Sequence, residues 1–417
     1  MKLNLNPDIP TAIFGAGVAG QAALEACKYN NINIDFFSDN NISKHGQVLN
    51  EVKVLHIDSV AEKFNDIDWL ISCADIKDII DELLGLGYRM ENIHPIVGLL
   101  EDFNLKTVNF EKYNQDDTSI GFFEFAVKCA IKCQESFYNP NKVYIRSVDI
   151  VVTEKCSMRC VDCSNLMQFF EHPVNYSINQ MREAIELLCK SVDGVHEFRV
   201  IGGEPLMNKE VYEVIKLLVD EPKVEKIAIY TNGTIVPKDE HFLLLKHPKI
   251  FFNITDYSDC GENAEDFMTQ RLLKQKPRVN RLEELCNEHN INYRRHPPEN
   301  WTDCGRILKY RDDIEANKQI FKDCCCKNLI SVSEGELHRC PFSLQITRLG
   351  VSDFKEDYLE LKALGSNSDS IQVKNKMKEF LYEKEYIKAC GYCPGRPLSD
   401  LKIVPAIQTK EILKFPE

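Results

Sequence analysis

The feature that most restricts this chain is a repeated order of apolar strand, polar or glycine-bearing turn and amphipathic helix, met in two separate blocks. In the first, TAIFGAGVAGQAALEACKYN reads as a strand, a glycine turn and a helix. Strands in NINIDFFSDN and IDWLISCA and a helix in DIKDIIDELLGLGY follow. In the second, VYIRSVDIVVT, EFRVIGG, KIAIYTNG, KIFFNITD and INYRRH read as strands, with helices in INQMREAIELLCKSV, KEVYEVIKLLVD and VNRLEELCNEHN. Such alternation buries both faces of a parallel sheet under helices. The expected fold class is α/β, with a full or partial parallel barrel in the second block. Chemistry in barrels gathers at the C-terminal strand ends. A cysteine triplet, GGEP, TNG and NITD all stand at or just past such ends.

The expected organisation is a first domain over 1–110, a linker helix within 111–142 around TSIGFFEFAVKCAIKCQESF, the barrel over 143–303 and a smaller cysteine-rich region over 304–417. The net charge of −13, with basic residues scattered among more acids, argues against nucleic acid or an anionic membrane surface as partner. No apolar run approaches the roughly 20 residues that span a bilayer. The start, MKLNLNPDIPTAIFGAG, has no apolar stretch behind a basic end, so a cytoplasmic protein is expected. Seventeen cysteines then need another role than disulfides. Cys27, Cys73, Cys129, Cys133, Cys189 and Cys286 stand alone in apolar or helical patterns and read as packing. Most of the others gather in two places.

The first is TEKCSMRCVDCSN, which spaces Cys156, Cys160 and Cys163 as Cys-x3-Cys-x2-Cys. Three thiolates on one loop can hold three irons of a cubane and leave the fourth open to a small molecule. A zinc site normally takes four ligands, and this loop has no His or fourth Cys. The triplet by itself leaves both readings open. Together with GGEP at Gly202–Pro205 it resembles the signature of the radical S-adenosylmethionine (SAM) superfamily. That resemblance implies a [4Fe–4S] cluster on the three cysteines, with SAM on the open iron. It implies cofactor contacts at Gly202, Gly203, Glu204 and Pro205, the glycines admitting backbone close to the SAM amino group. Asn232 in YTNGT and Asn253 in FFNITD would follow from later strands, Asn253 as a ribose contact ahead of Thr255 or Asp256. One departure is Asp162, where the family usually has an aromatic residue. The implied chemistry is reductive cleavage of SAM to a 5′-deoxyadenosyl radical that abstracts hydrogen, with flavodoxin or ferredoxin as reductant.

The second place is KDCCCKNLISVSEGELHRCPF with KACGYCPGR. Gly335-x4-Cys340 and Cys390-x2-Cys393 resemble the SPASM/twitch auxiliary-cluster domain, and Cys324, Cys340, Cys390 and Cys393 fit the shorter twitch form of sugar-modifying dehydrogenases. Cys325 or Cys326 could replace Cys324, and a four-cysteine zinc ribbon has the same spacing. Cys260 and Cys304 are unassigned. In WTDCGR, Asp303 or Arg306 is a candidate to touch substrate, with a plain surface role the equal alternative. In the first block, Gly15, Gly17 and Gly20 with Asp39 match a dinucleotide fingerprint. The block resembles the short Rossmann-like domains of surface-glycan enzymes, which implies a nucleotide or nucleotide-sugar site, a purely structural fold or, less in keeping, NAD. The combined expectation is a Rossmann-like domain, a partial (β/α)6 radical-SAM barrel and a twitch-like iron–sulfur domain. The expected enzyme oxidises a carbinol of a sugar, amino sugar or nucleotide sugar. Epimerisation, dehydration, peptide maturation and a non-catalytic iron–sulfur or zinc scaffold are the alternatives.

Overall fold

A computed structural model describes residues 3–101, 103–108, 120–262, 264–298, 301–364, 371–397 and 402–416. The chain divides into two compact units, Met1–Arg146 and Ser147–Glu417.

The first unit is built on strands β1 (Thr11–Phe14), β2 (Phe36–Ser38), β3 (Val48–Leu49), β4 (Val52–Leu55), β5 (Asp68–Ile71) and β6 (Ile93–Pro95). Their order is β3-β4-β2-β1-β5-β6. All neighbours pair in parallel except the β3/β4 hairpin. The chain runs outward from β1 to β4 and then returns to the other side at β5, so the order reverses at β1 as in a doubly wound sheet. The central strands β1, β2 and β5 are buried along their whole length because both faces are covered. Ile13 and Leu70 pack with Ala22, Ala23 and Ala26 of the Val18–Tyr29 helix, while Phe14, Phe36 and Trp69 join Ile76, Ile80 and Leu83 of the Ile76–Gly85 helix on the opposite face. The sequence signal reaches β1, β2 and β5 but not β3, β4 and β6, whose runs are interrupted by exposed or half-buried residues.

The helix expected as a linker is part of this unit. It runs Ile120–Tyr138, and its Val127 and Ala130 belong to the same apolar cluster as Ile13 and Ala22. Gln134, fully buried, donates from Nε2 to Ile71 O (2.7 Å) and Cys73 O (3.0 Å) and accepts from Ile96 N (3.0 Å). Three backbone groups thus depend on one side chain. Residues 109–119 of the expected linker lie outside the described residues.

The second unit carries β7 (Tyr144–Thr153), whose first residues close the first unit, then β8 (Gly194–Gly202), β9 (Val224–Thr231), β10 (Ile250–Thr255), β11 (Tyr293–His296), β12 (Ile330–Ser333), β13 (Glu336–His338) and β14 (Tyr358–Glu360). Their order is β11-β10-β9-β8-β7-β12-β13-β14. β8 to β11 pair in parallel, with the expected helices Ile178–Ser191, Val211–Asp220 and Lys276–Glu288 between strands. The expected division at residue 304 is not a break in the sheet. β12, from the cysteine-rich region, pairs in parallel with β7 through Ser331 opposite Asp149. The antiparallel β13 and β14 extend the same sheet. Glu334 (φ 49°) and Gly335 (φ 84°) form the two-residue turn between β12 and β13, whose positive φ at both positions matches the strand twist. Among the described residues, no helix is long and apolar enough to cross a membrane.

Gln134→Leu should destabilise the first unit by about 1–3 kcal/mol, because it strands buried backbone groups without partners. Urea denaturation of the full chain with Trp301→Phe, so that Trp69 alone reports by fluorescence, measures this.

Candidate active site

The strand ends of the second unit open on a cavity of about 370 Å³. Nine cysteines line it: Cys156, Cys160 and Cys163 from the loop after β7, and Cys304, Cys324, Cys326, Cys340, Cys390 and Cys393 from the region after residue 303.

The first loop is seated by backbone contact. At the end of β8, Gly203 N donates to Thr153 O (3.0 Å) and Glu204 N to Lys155 O (2.8 Å). A Cβ on Gly202 would lie 2.2 Å from Thr153 O, and one on Gly203 2.2 Å from Lys155 O and 2.8 Å from Cys156 Cβ. From the family resemblance these glycines are expected to admit close approach of SAM. Their absent side chains already make room for the cysteine loop.

Glu204 and Pro205 are buried behind the cavity wall. The Glu204 carboxylate accepts from Thr231 Oγ1 (2.8 and 2.9 Å), Asn232 N (2.8 Å) and Leu206 N (3.2 Å), so it ties the end of β8 to the end of β9. Burial pushes its pKa up to about 7 against the opposing pull of these donors. Asn232 lines the cavity, where its Nδ2 donates to Ser157 Oγ (3.0 Å) and points at Cys156 Sγ (3.7 Å). On β10 it is Thr255 that lines the cavity. Asn253 lies two residues back on the same face of the strand, with its Oδ1 2.9 Å from His296 Nε2. Asp256 is held by Arg295 and by Ser258 N. Position 162 is not aromatic, but Tyr257 and Trp301, with ring centroids 6.0 Å apart, line the same cavity. Gly305 explains part of WTDCGR: a Cβ there would fall 2.3 Å from the Asp162 carbonyl carbon. Arg306 pairs with Asp303 at the surface.

The second group is held by its own framework. Cys340 caps the Pro341–Arg348 helix, its Sγ accepting from Ser343 N (3.4 Å), while burial pushes the thiol well above its ordinary value against the pull of that donor. The Asp357 carboxylate accepts from Lys388 N (2.8 Å) and Ala389 N (2.7 Å) and sets the turn that carries Cys390. Arg311 Nη2 donates to Cys390 O (2.9 Å) and Cys393 O (3.3 Å). Of the three consecutive cysteines, Cys325 is exposed and outside the cavity, while Cys324 and Cys326 line it. Cys326 is held below an ordinary thiol pKa by hydrogen bonds with Cys324 and Cys325 and by Arg396, whose Nη1 donates to its Sγ at 3.4 Å.

A buried ion pair that the sequence reading did not mark lies on the cavity wall. Arg199 Nε on β8 donates to Asp149 Oδ1 on β7 at 2.5 Å, with Arg199 over the Tyr230 ring at 5.1 Å. Asp149 is 1% exposed, and among the described residues its Oδ2 has no hydrogen-bond partner. Each strand carries another charged residue, Arg146 on β7 and Glu197 on β8, so nothing local marks Asp149 and Arg199 as partners.

The donor set fits iron–sulfur chemistry. Burial pushes the Cys156 thiol up to about 12 and raises Cys160 and Cys163, so these thiols ionise only against a positive partner. Side-chain N–H groups of Asn232 and Gln408 point at two of the three sulfurs. Among the described residues no three His, Cys, Asp or Glu side chains converge to hold a single metal ion. A cubane asks for less convergence, since each thiolate binds its own corner iron.

Comparison with known proteins agrees with this reading. The family model described as the radical SAM superfamily matches residues 150–286. That segment is a radical SAM domain. Such a domain is an enzyme's, with a [4Fe–4S] cluster and SAM as its cofactors. Curated relatives include the GTP 3′,8-cyclase of Petrotoga mobilis, 33% identical over 99 residues, which are 23% of this chain and 30% of that protein. The GTP 3′,8-cyclase of Listeria monocytogenes serotype 4b is 34% identical over 97 residues, 23% of this chain and 28% of that protein. The chain thus spans less than a third of the length of these relatives. Among solved structures, BtrN in complex with AdoMet and 2-DOIA covers 65% of this chain and 100% of its own, at 14% identity and a TM-score of 0.35. Native anSMEcpe with bound AdoMet and a peptide covers 37% and 42%, at 16% identity and a TM-score of 0.29.

Gly15, Gly17, Gly20 and Asp39 lie in the first unit. A Cβ on Gly20 would stand 1.9 Å from Gly15 O, and one on Gly15 2.4 Å from Ser72 Oγ; only at Gly17 is there space. Asp39 Oδ2 accepts from Ala16 N (2.7 Å) and Lys44 Nζ (2.9 Å), and Oδ1 from Asn41 N (2.8 Å). The carboxylate of the fingerprint is therefore engaged by its own loop and by the glycine turn.

Gly203→Val should abolish assembly of a cluster on the first loop, since its side chain meets backbone and Cys156 rather than open space. Iron and sulfide analysis of the anaerobically reconstituted variant, beside circular dichroism to establish folding, measures this.

Proposed function

We propose that Cys156, Cys160 and Cys163 hold the SAM-binding cluster and that Cys324, Cys340, Cys390 and Cys393 hold a second, fully protein-ligated [4Fe–4S] cluster, with Cys326 the rival to Cys324. On this reading the protein is a radical SAM oxidoreductase acting on a sugar, amino sugar or nucleotide sugar. The observation that carries it is the placement of both cysteine groups on the walls of one cavity. When bound and reduced, the first cluster supplies the electron that splits SAM into methionine and a 5′-deoxyadenosyl radical able to take hydrogen from carbon.

The chain's own residues bind, orient and exclude water. Gly202, Gly203 and Asn232 border the SAM side of the cavity, with Glu204 fixing the turn behind them. Thr255 offers a hydroxyl there, and Tyr257 and Trp301 offer aromatic surface beside the cysteine loop. Asp149 and Arg199 supply an acceptor and a donor side by side with no net charge, which suits the hydroxyls and amines of a sugar-type substrate. Oxidation of a carbinol to a ketone gives up two electrons. A second cluster near the substrate gives the second of them somewhere to go, and this favours oxidation over epimerisation or dehydration.

Anaerobically prepared protein should carry iron and sulfide for two [4Fe–4S] clusters. Changing Cys156, Cys160 and Cys163 together to Ala should remove one cluster and all 5′-deoxyadenosine formation; persistence of that product would defeat the assignment. Cys390→Ala with Cys393→Ala should remove the other cluster, with SAM cleavage continuing and oxidised product absent. One zinc and one cluster in the parent protein, by metal analysis and Mössbauer spectroscopy, would replace the second cluster by a structural zinc site.

A further inference from the structure

The last described stretch of chain, residues 402–416, is built into the cysteine loop. Gln408 forms an isolated antiparallel bridge with Cys160. On either side of it, Val161 N donates to Ile407 O (2.8 Å) and Thr409 N to Arg159 O (2.9 Å). Further along, Leu413 N donates to Gln168 O (3.0 Å) and the Phe415 ring packs 6.0 Å from that of Phe169. Ala406, fully buried with φ +61°, lies in one apolar cluster with Met158 and Leu272.

The Gln408 side chain spends both ends of its amide on this contact. Oε1 accepts from Arg159 N at 2.9 Å, and Nε2 donates to Cys160 Sγ at 3.1 Å and to Ala406 O at 2.7 Å. Its own backbone N–H is fixed by Thr269 Oγ1 at 3.0 Å. An amide with every anchor satisfied inside the protein, aimed at a thiol from the far end of the chain, is a preformed donor.

We propose that Gln408 is a positioning residue of the SAM-binding cluster and that its N–H to Cys160 raises the cluster's reduction potential. This rests on the reading of Cys160 as a cluster ligand. Hydrogen bonds to cluster sulfurs and exclusion of solvent are among the factors that set such potentials. A donor on a thiolate stabilises the extra negative charge of the reduced state more than the oxidised one. The reduced form, which the reaction needs, becomes easier to reach.

Gln408→Glu keeps the Oε1 that accepts from Arg159 and replaces the donor by an anionic acceptor. Gln408→Met keeps the length and removes the donor without adding charge. The measurement is an EPR-monitored redox titration of the full chain, following the signal that changes when SAM is added, with iron content and circular dichroism alongside. Both variants should retain the cluster and show a lower potential, Glu more than Met. The expected size for Met is about a tenfold fall in the reduced-to-oxidised ratio at fixed potential, about 59 mV for one electron. Unshifted potentials in variants with a full cluster would overturn the proposal. So would loss of the cluster from both with the fold intact, since Gln408 would then be needed for loop structure alone. A parent protein with no SAM-responsive cluster would instead defeat the underlying reading of the cysteine loop.

Discussion

The cysteine-loop side of the cavity depends on how closely the turn after β8 approaches the loop after β7. Two backbone hydrogen bonds, Gly203 N to Thr153 O and Glu204 N to Lys155 O, hold the segments at a separation where a Cβ on Gly203 would stand 2.2 Å from Lys155 O. Cys156 is placed by this contact, and Cys160 and Cys163 follow along the same loop. Glu204 carries the constraint sideways to Thr231 and Asn232 at the end of β9. From there Asn232 returns to Ser157 and the Cys156 sulfur. The loop, the glycine turn and the TNG turn are therefore one hydrogen-bonded assembly.

Charge is managed throughout by partners within the wall. The Cys156, Cys160 and Cys163 thiols are raised by burial and await a positive group. Glu204 spreads its charge over backbone and hydroxyl donors, while Asp149 is matched by Arg199. A buried pair of this kind is a weak source of stability, because desolvation offsets most of the attraction. Its place on the wall of a cavity suits it to orienting a polar substrate. On the opposite side, Arg311, Arg396 and Asp357 fix the second cysteine group through backbone and sulfur.

Much of this was legible beforehand. Strand–helix alternation gave the parallel sheets, and the spacing of Cys156, Cys160 and Cys163 with GGEP marked the loop and its neighbour. These signals are local: a period, a spacing or a tetrapeptide survives in one short window. What was illegible is what long-range pairing creates. β12 joins β7 across nearly two hundred residues, so the region after 304 continues the sheet rather than forming a separate layer. The Ile120–Tyr138 helix reads as a connector, yet its Gln134 meets three backbone groups at the ends of β5 and β6. The Asp39 that completes a dinucleotide fingerprint is turned inward to Ala16 and Lys44.

The sequence by itself determined the fold class, the cysteine loop and the family of chemistry, because periodicity and motif spacing are properties of neighbours along the chain. Only the tertiary structure decided which cysteines share a cavity, that Asp149 faces Arg199, and that Gln408 reaches Cys160. Those pairings are fixed by the register of distant strands and by the path of a tail some 250 residues away, and no local pattern records either.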